Sequence, residues 1–233
     1  MRACGVSVWN PEGGSGFRLG ISRKRKAGPT VNSRVFFLCS ICFGFLLLLP
    51  SRADGQTPDS SVQIAAALQA APAAQREEAT VLGFDRTGAH TTLRSGSNDL
   101  VCLADDPADN RFSVACYHAS LEPYMARGRA LRTEGISDGN ERNQIRWREA
   151  EEGKLSMPEA PATLYVMTGS SFDAESGEVV DSYLRYVIYV PWATVESTGL
   201  TDSPQSPGSP WLMFPGTAGA HIMISPPQAS SGS

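Results

Sequence analysis

Histidine, lysine and cysteine are all scarce in this chain. The three histidines are His90, His118 and His221, and past residue 53 the only lysine is Lys154. Of five cysteines, only Cys102 and Cys116 follow that point. Past residue 53 there is no Gly-x-Ser-x-Gly elbow, no phosphate-binding glycine loop, no Cys-x-x-Cys and no His-Glu-x-x-His. The common nucleophile, nucleotide and zinc-protease signatures are therefore missing. No apolar run reaches the roughly 20 residues that a membrane-spanning helix needs.

The longest apolar run is Val35–Leu49, 15 uncharged residues from 35 to 49. It follows Arg23-Lys24-Arg25-Lys26 and Arg34, and it stops at Pro50. Ser51-Arg52-Ala53 then places small residues at the −3 and −1 positions of a cleavage site. This order of basic region, apolar core and small-x-small site predicts a secretory signal peptide. Residues 1–53 are thus expected to be a leader, with Val31 as a candidate translation start. Cys39 and Cys42 lie inside the apolar core and leave with it. The rest is expected to be secreted or periplasmic, with no membrane contact after cleavage.

Removing the leader changes the charge. It holds 8 of the 20 Lys and Arg but 1 of the 24 acids, leaving 12 bases against 23 acids, a net of −11. Such a surface argues against nucleic acid as a partner, because phosphate binding depends on neutralising bases. The remaining 180 residues (233 − 53) suit one domain. It is expected over residues 54–226, with a disordered tail over 227–233.

An even pair of cysteines in an exported chain reads as a disulfide. Leu100–Asp105 and Phe112–His118 both read as strands, joined by a turn-forming run about Asp109. Registered there, Cys102 faces Cys116, Ala104 faces Val114 and Asp106 faces Phe112. Directly opposed residues lie within disulfide reach.

The hydrophobic periods predict the remaining elements. Ser60–Ala71 has apolar residues at helical spacing, and Ala73–Glu78 reads as a second short helix. Ala79–Phe84 and Ala89–Arg94 read as strands, giving with the cysteine hairpin a four-stranded meander. Leu121, Tyr124, Met125, Gly128 and Leu131 mark one face of a helix that Gly135 ends. A charged surface helix is expected from Asn140 to Glu152. Ala162–Gly169 and Tyr183–Val190 are strands rich in β-branched and aromatic residues, joined by a long turn. Pro191–Pro210 reads as a loop, with short strands Trp211–Phe214 and Ala220–Ile224 after it. The predicted class is α+β: an antiparallel sheet of six to eight short strands with a helix pair packed on one face.

Few residues are candidates for chemistry. His118 and His221, with a nearby acid, would serve a metal-dependent or hydrolytic enzyme, although no spacing pairs them. Asp105, Asp106 and Asp109 at the hairpin tip are candidate calcium ligands without the regular order of a calcium loop. Six arginines on the two helices (Arg127, Arg129, Arg132, Arg142, Arg146, Arg148) would form a local basic face unless paired with neighbouring Glu. Trp192, Trp211, Met213 and Phe214 flank the long loop, and they are candidates either to line a ligand groove or to cover the end of a small core. No cofactor is expected.

Leu93-Arg94-Ser95-Gly96-Ser97-Asn98 leading to Cys102 and a second cysteine resembles a group of uncharacterised exported bacterial proteins. Trp211-Leu212-Met213 and His221-Ile222-Met223-Ile224 are similar too, and the likeness covers most of residues 79–226. It implies a bacterial, exported, single-domain protein and brings no activity or catalytic residue. The leading expectation is a non-enzymatic domain that binds a small ligand or an envelope partner. The alternatives are the histidine enzyme and a purely structural envelope protein.

Overall fold

The computed structural model describes residues 57–228. The expected leader, its apolar core and its cleavage site lie outside the described residues, as does the tail from 229 to 233. Among the described residues, no helix is long and apolar enough to cross a membrane.

The described residues contain ten strands: β1 Thr80–Phe84, β2 His90–Arg94, β3 Leu100–Leu103, β4 Phe112–His118, β5 Ala162–Gly169, β6 Ser171–Asp173, β7 Glu178–Val180, β8 Tyr183–Tyr189, β9 Trp211–Met213 and β10 His221–Ile224. Four α-helices accompany them: α1 Ser60–Ala67, α2 Glu122–Thr133, α3 Gly139–Glu151 and α4 Val195–Thr198. Eight strands form one sheet in the order β2-β1-β3-β4-β5-β8-β10-β9, while β6 and β7 form a separate ribbon. The fold is α+β, as the segregation of the strands from the helix pair along the sequence predicts.

The cysteine hairpin has the expected register. Cys102 pairs with Cys116 and Leu103 with Ala115. The two cysteines are disulfide-bonded with their Cα atoms 4.0 Å apart.

The four-stranded meander does not form. β3 runs parallel to β1 and lies on the side of it away from β2. The chain leaving β2 crosses the start of β1, and Gly96 makes the crossing possible. A Cβ on Gly96 would collide with the backbone of Glu78, Ala79 and Thr80. Backbone bonds from Ser97 and Asn98 to the Glu78 carbonyl fix the crossing. Arg94 ties it further by donating to the Ala79 and Arg76 carbonyls.

Other boundaries also differ. The first helix narrows to a 3-10 turn at Leu68–Ala70, and Ala73–Gln75 forms a 3-10 turn in place of a second helix. The long turn before β8 is the β6–β7 ribbon. The loop after β8 contains α4, which closes a capping box between Thr194 and Ser197 and ends at Gly199 with φ 69°.

Side chains alternate between sheet faces, so each strand contributes to two cores. On one face, Ala66, Ala67 and Ala70 pack against Val81, Cys102, Val114 and Cys116. Alanine lets the helix backbone approach the disulfide closely. Gln63 joins helix to sheet: its Oε1 accepts from the Phe84 amide at 2.9 Å and its Nε2 donates to the Phe84 carbonyl at 2.9 Å.

On the other face, the α2–α3 pair covers Tyr117, Val187, Tyr189 and Met223 through Leu121, Tyr124 and Trp147. α3 is charged as expected, and Trp147 anchors it by donating from Nε1 to the Tyr124 hydroxyl at 3.1 Å. Gly219 lies under that pair, where a Cβ would strike the Trp147 ring.

Candidate functional site

The two histidines do not meet. His118 ends β4 and His221 opens β10, with β5 and β8 between them. Three strand spacings of about 4.8 Å put them roughly 14 Å apart across the sheet. They also point to opposite faces, because His118 shares the parity of Cys116 while His221 pairs with Tyr189. His118 is exposed and its Nδ1 accepts from the Ser120 amide at 3.2 Å, which caps the turn into α2.

His221 is buried. Its Nδ1 donates to the Gly219 carbonyl at 2.7 Å, and its ring lies 5.0 Å from Tyr189 and 5.7 Å from Phe214. Burial holds its pKa below the ordinary imidazole value, partly offset by the Gly219 carbonyl. A histidine pair acting on one substrate is not what this geometry offers.

The acidic hairpin tip is occupied by its own chain. Asp105 Oδ1 accepts from the Ser113 amide at 2.7 Å, and Asp106 Oδ1 accepts from the Ala108 amide at 2.9 Å. Arg132 of α2 pairs with both Asp106 and Asp109. Among the described residues, no group of three or more His, Cys, Asp or Glu side chains gathers where it would hold a metal ion.

Five of the six helix arginines have partners: Arg132 as above, and the following four. Arg127 reaches Glu134 and Glu149. Arg129 reaches Glu122 and donates to the Tyr117 hydroxyl at 3.0 Å. The Tyr117 hydroxyl in turn donates to Glu122. Arg142 donates to the Ile136 and Ser137 carbonyls, and the Arg146 guanidinium lies 4.0 Å over the Tyr124 ring.

Two concavities among the described residues bear on function. The smaller, about 300 Å³, lies between α1, the hairpin tip and β6, with Val62, Asp105, Phe112 and Phe172 among its walls. Burial, and then the neighbouring Asp109 and Asp106, raise the Asp105 pKa against the Ser113 hydrogen bond. This volume is at the bottom of the range for ligand pockets. Its deepest polar side chain, Gln63, is fully engaged with Phe84 and Pro58.

The larger is a groove of about 660 Å³ between the loop at 204–209 and the end of β10. Tyr183 from β8 and Trp211 from β9 line it, with Pro204, Pro207, Pro226 and Pro227. Gln205, Ser206, Gly208, Ser209, Ser225 and Gln228 complete the lining, so no charged residue contributes.

Hydrogen bonds hold the loop without charge. Ser209 Oγ accepts from the amides of Gln205 at 3.2 Å and Ser206 at 3.1 Å, and donates to the Ser206 carbonyl at 2.8 Å. Gln205 Nε2 donates to the Ser203 carbonyl at 3.1 Å. The Leu212 amide bonds the Thr201 carbonyl at 2.8 Å, tying the loop base to β9. Gly208 adopts φ 81°, and a Cβ there would lie 3.2 Å from Pro227 Cδ.

The four candidates for groove or core divide. Trp211 does so. Met213 and Phe214 pack against the second core, with the Phe214 ring 4.9 Å from Trp147. Trp192 is 43% exposed at φ 67° and does not line the groove. Sequence reasoning missed Tyr183, which reads as an ordinary strand aromatic, and Pro226–Pro227, which read as the end of the domain and the start of the tail. The Pro-Pro pair was the available signal. Compared with protein families, curated proteins and solved structures, the chain matches none.

Proposed function

We propose that this chain is an exported, non-enzymatic binding domain whose contact surface is the groove beside the loop at 204–209. The observation that carries the proposal is an uncharged groove of about 660 Å³ on an acidic protein, walled by Tyr183, Trp211 and four prolines. An uncharged lining favours an uncharged occupant, because no side chain there would neutralise an ion. The occupant is a small ligand or a segment of an envelope partner. Export rests on the Val35–Leu49 signal and on the cysteine bond, which persists in oxidising compartments.

Native mass spectrometry of the protein secreted from a bacterial host tests the small-ligand form. Wild type should carry an adduct that is lost when residues 203–209 are replaced by a Gly-Ser linker of equal length. An adduct that survives the replacement places binding elsewhere and overturns the proposal. A bare wild-type protein rejects the small ligand and transfers the weight to a partner segment.

A further inference from the structure

A strand with one face in water alternates apolar and polar side chains, whereas a strand covered on both faces is apolar on both. β8 and β10 carry apolar side chains on both faces. Val187, Tyr189 and Met223 lie under the helix pair. Leu184, Tyr186 and Ile188 of β8 and Ile222 and Ile224 of β10 point the other way. The row Cys116, Tyr165, Tyr186 and Ile224 across four strands puts them on the face of the disulfide. These five side chains belong to neither core. Tyr186 is 39% exposed and the other four are partly exposed. Tyr165 and Met167 border the patch on the side of the first core, and buried Leu212, paired with Ile222, ends it on the other. Three strand widths of about 4.8 Å by five residues of about 3.4 Å give a bare area of roughly 250 Å². Exposed apolar patches approaching a few hundred Å² mark interaction sites.

We infer that this face is the contact between two copies of this chain, a reversible two-fold dimer packed sheet on sheet. Charge selects a second copy. Past residue 53 the chain has 12 bases against 23 acids, so two copies carry like charge. The patch holds no charged side chain, and a two-fold contact sets it against itself without opposing carboxylates. Shape agrees. Where α1 covers this face, the small side chains of Val81, Cys102, Val114 and Cys116 receive alanines. The bare half offers leucine, tyrosine and isoleucine, which interdigitate between packed sheets about 10 Å apart. The segments flanking the described residues supply no cover. Neither Asp54-Gly55-Gln56 nor Ala229-Ser230-Ser231-Gly232-Ser233 has an apolar side chain larger than alanine. The proposed groove is separate, since its Tyr183 and Trp211 take the opposite parity on the sheet. The patch falls short of the roughly 800 Å² per partner of a permanent complex, which makes the dimer weak.

The test is sedimentation equilibrium of the secreted protein from about 10 μM to about 1 mM, the range of a weak contact. The average mass should rise with concentration from the monomer towards twice that value. Added salt should leave the association unchanged or strengthen it, because the contact is uncharged and the net charge of the copies is screened. Tyr186→Glu should hold the protein monomeric throughout, with a thermal melt like that of wild type because the ring is already exposed. Ile222→Thr keeps a β-branched residue in the strand and should weaken association several-fold.

A wild-type monomer over the whole range would overturn the inference and leave the face to a different partner or an apolar ligand. A dimer that salt dissolves, or one that survives both substitutions, would place the contact elsewhere and overturn it equally. If Tyr186→Glu lowers the melt, Ile222→Thr alone decides.

Discussion

The cysteine hairpin and the C-terminal loop are both turn-rich excursions, but they are closed by opposite means. The hairpin is held covalently by Cys102–Cys116, and its tip is neutralised by Arg132 of α2. The loop at 204–209 has neither a disulfide nor an ion pair among the described residues. It folds on Ser209 and Gln205 and leans against Pro227. The first arrangement fills its surroundings and leaves a small cleft, whereas the second leaves an uncharged groove. A disulfide and a charged clasp mark a region built for stability. A self-bonded, uncharged loop with aromatics at its base marks the better region to receive another molecule.

The contrast predicts a ranking of effects. Replacing both cysteines by alanine should be the most damaging change, lowering stability by about 3 kcal/mol for a closed loop of this length. Denaturant melts at one pH would show it. A change within error would mean that the hairpin is not the stabilised end.

Gln63→Ala should follow, at about 2 kcal/mol. It leaves the buried Phe84 amide and carbonyl without their side-chain partner. Glu at the same site should be comparably harmful, because a carboxylate cannot donate to that carbonyl.

The second core should show a pH dependence from His221. Its folded pKa lies below the ordinary 6.5, so the unfolded chain binds the proton more readily. Its contribution is therefore full above pH 6.5. It is lost progressively as pH falls from 6.5 towards the lowered folded value. Urea melts at pH 7.5 and 5.5 should show a smaller free energy at the lower pH, and His221→Gln should reduce that difference. A difference unchanged by the substitution would assign it to other groups.

The smallest effect is expected where the proposed function resides. Replacing residues 203–209 by a Gly-Ser linker should shift stability by no more than about 0.5 kcal/mol, as for surface changes away from buried features. A large loss would make the loop part of the core and blur the distinction between the two regions.

Legibility in the sequence follows the same division. The hairpin register could be read because a turn signal and two cysteines over-determine it. The helix pair could be read from its 3.6 period and from Gly135, which sits at φ 94° just past α2. The parallel β1–β3 pairing could not, since local pattern says nothing about which side of β1 the chain takes after β2. That choice depends on Gly96 fitting against the Glu78 backbone, a contact between residues distant in sequence.

The groove was half legible. The long Pro/Ser loop and Trp211 were visible. The choice for Met213 and Phe214 between lining a groove and covering the core stays open in the sequence, because composition alone does not say which face a side chain takes. Tyr183 and Pro226 come together only through the β8–β10 ladder and the Pro226 carbonyl bond.

The most direct test of the account is a chemical-shift map on the isotopically labelled protein, titrated with a set of small neutral fragments. The account predicts perturbations concentrated on Tyr183, Gln205, Ser206, Trp211 and Ser225, with the hairpin tip at Asp105–Arg111 unmoved. Perturbations gathered around Asp105 and Phe112 instead, or spread without a centre, would contradict it.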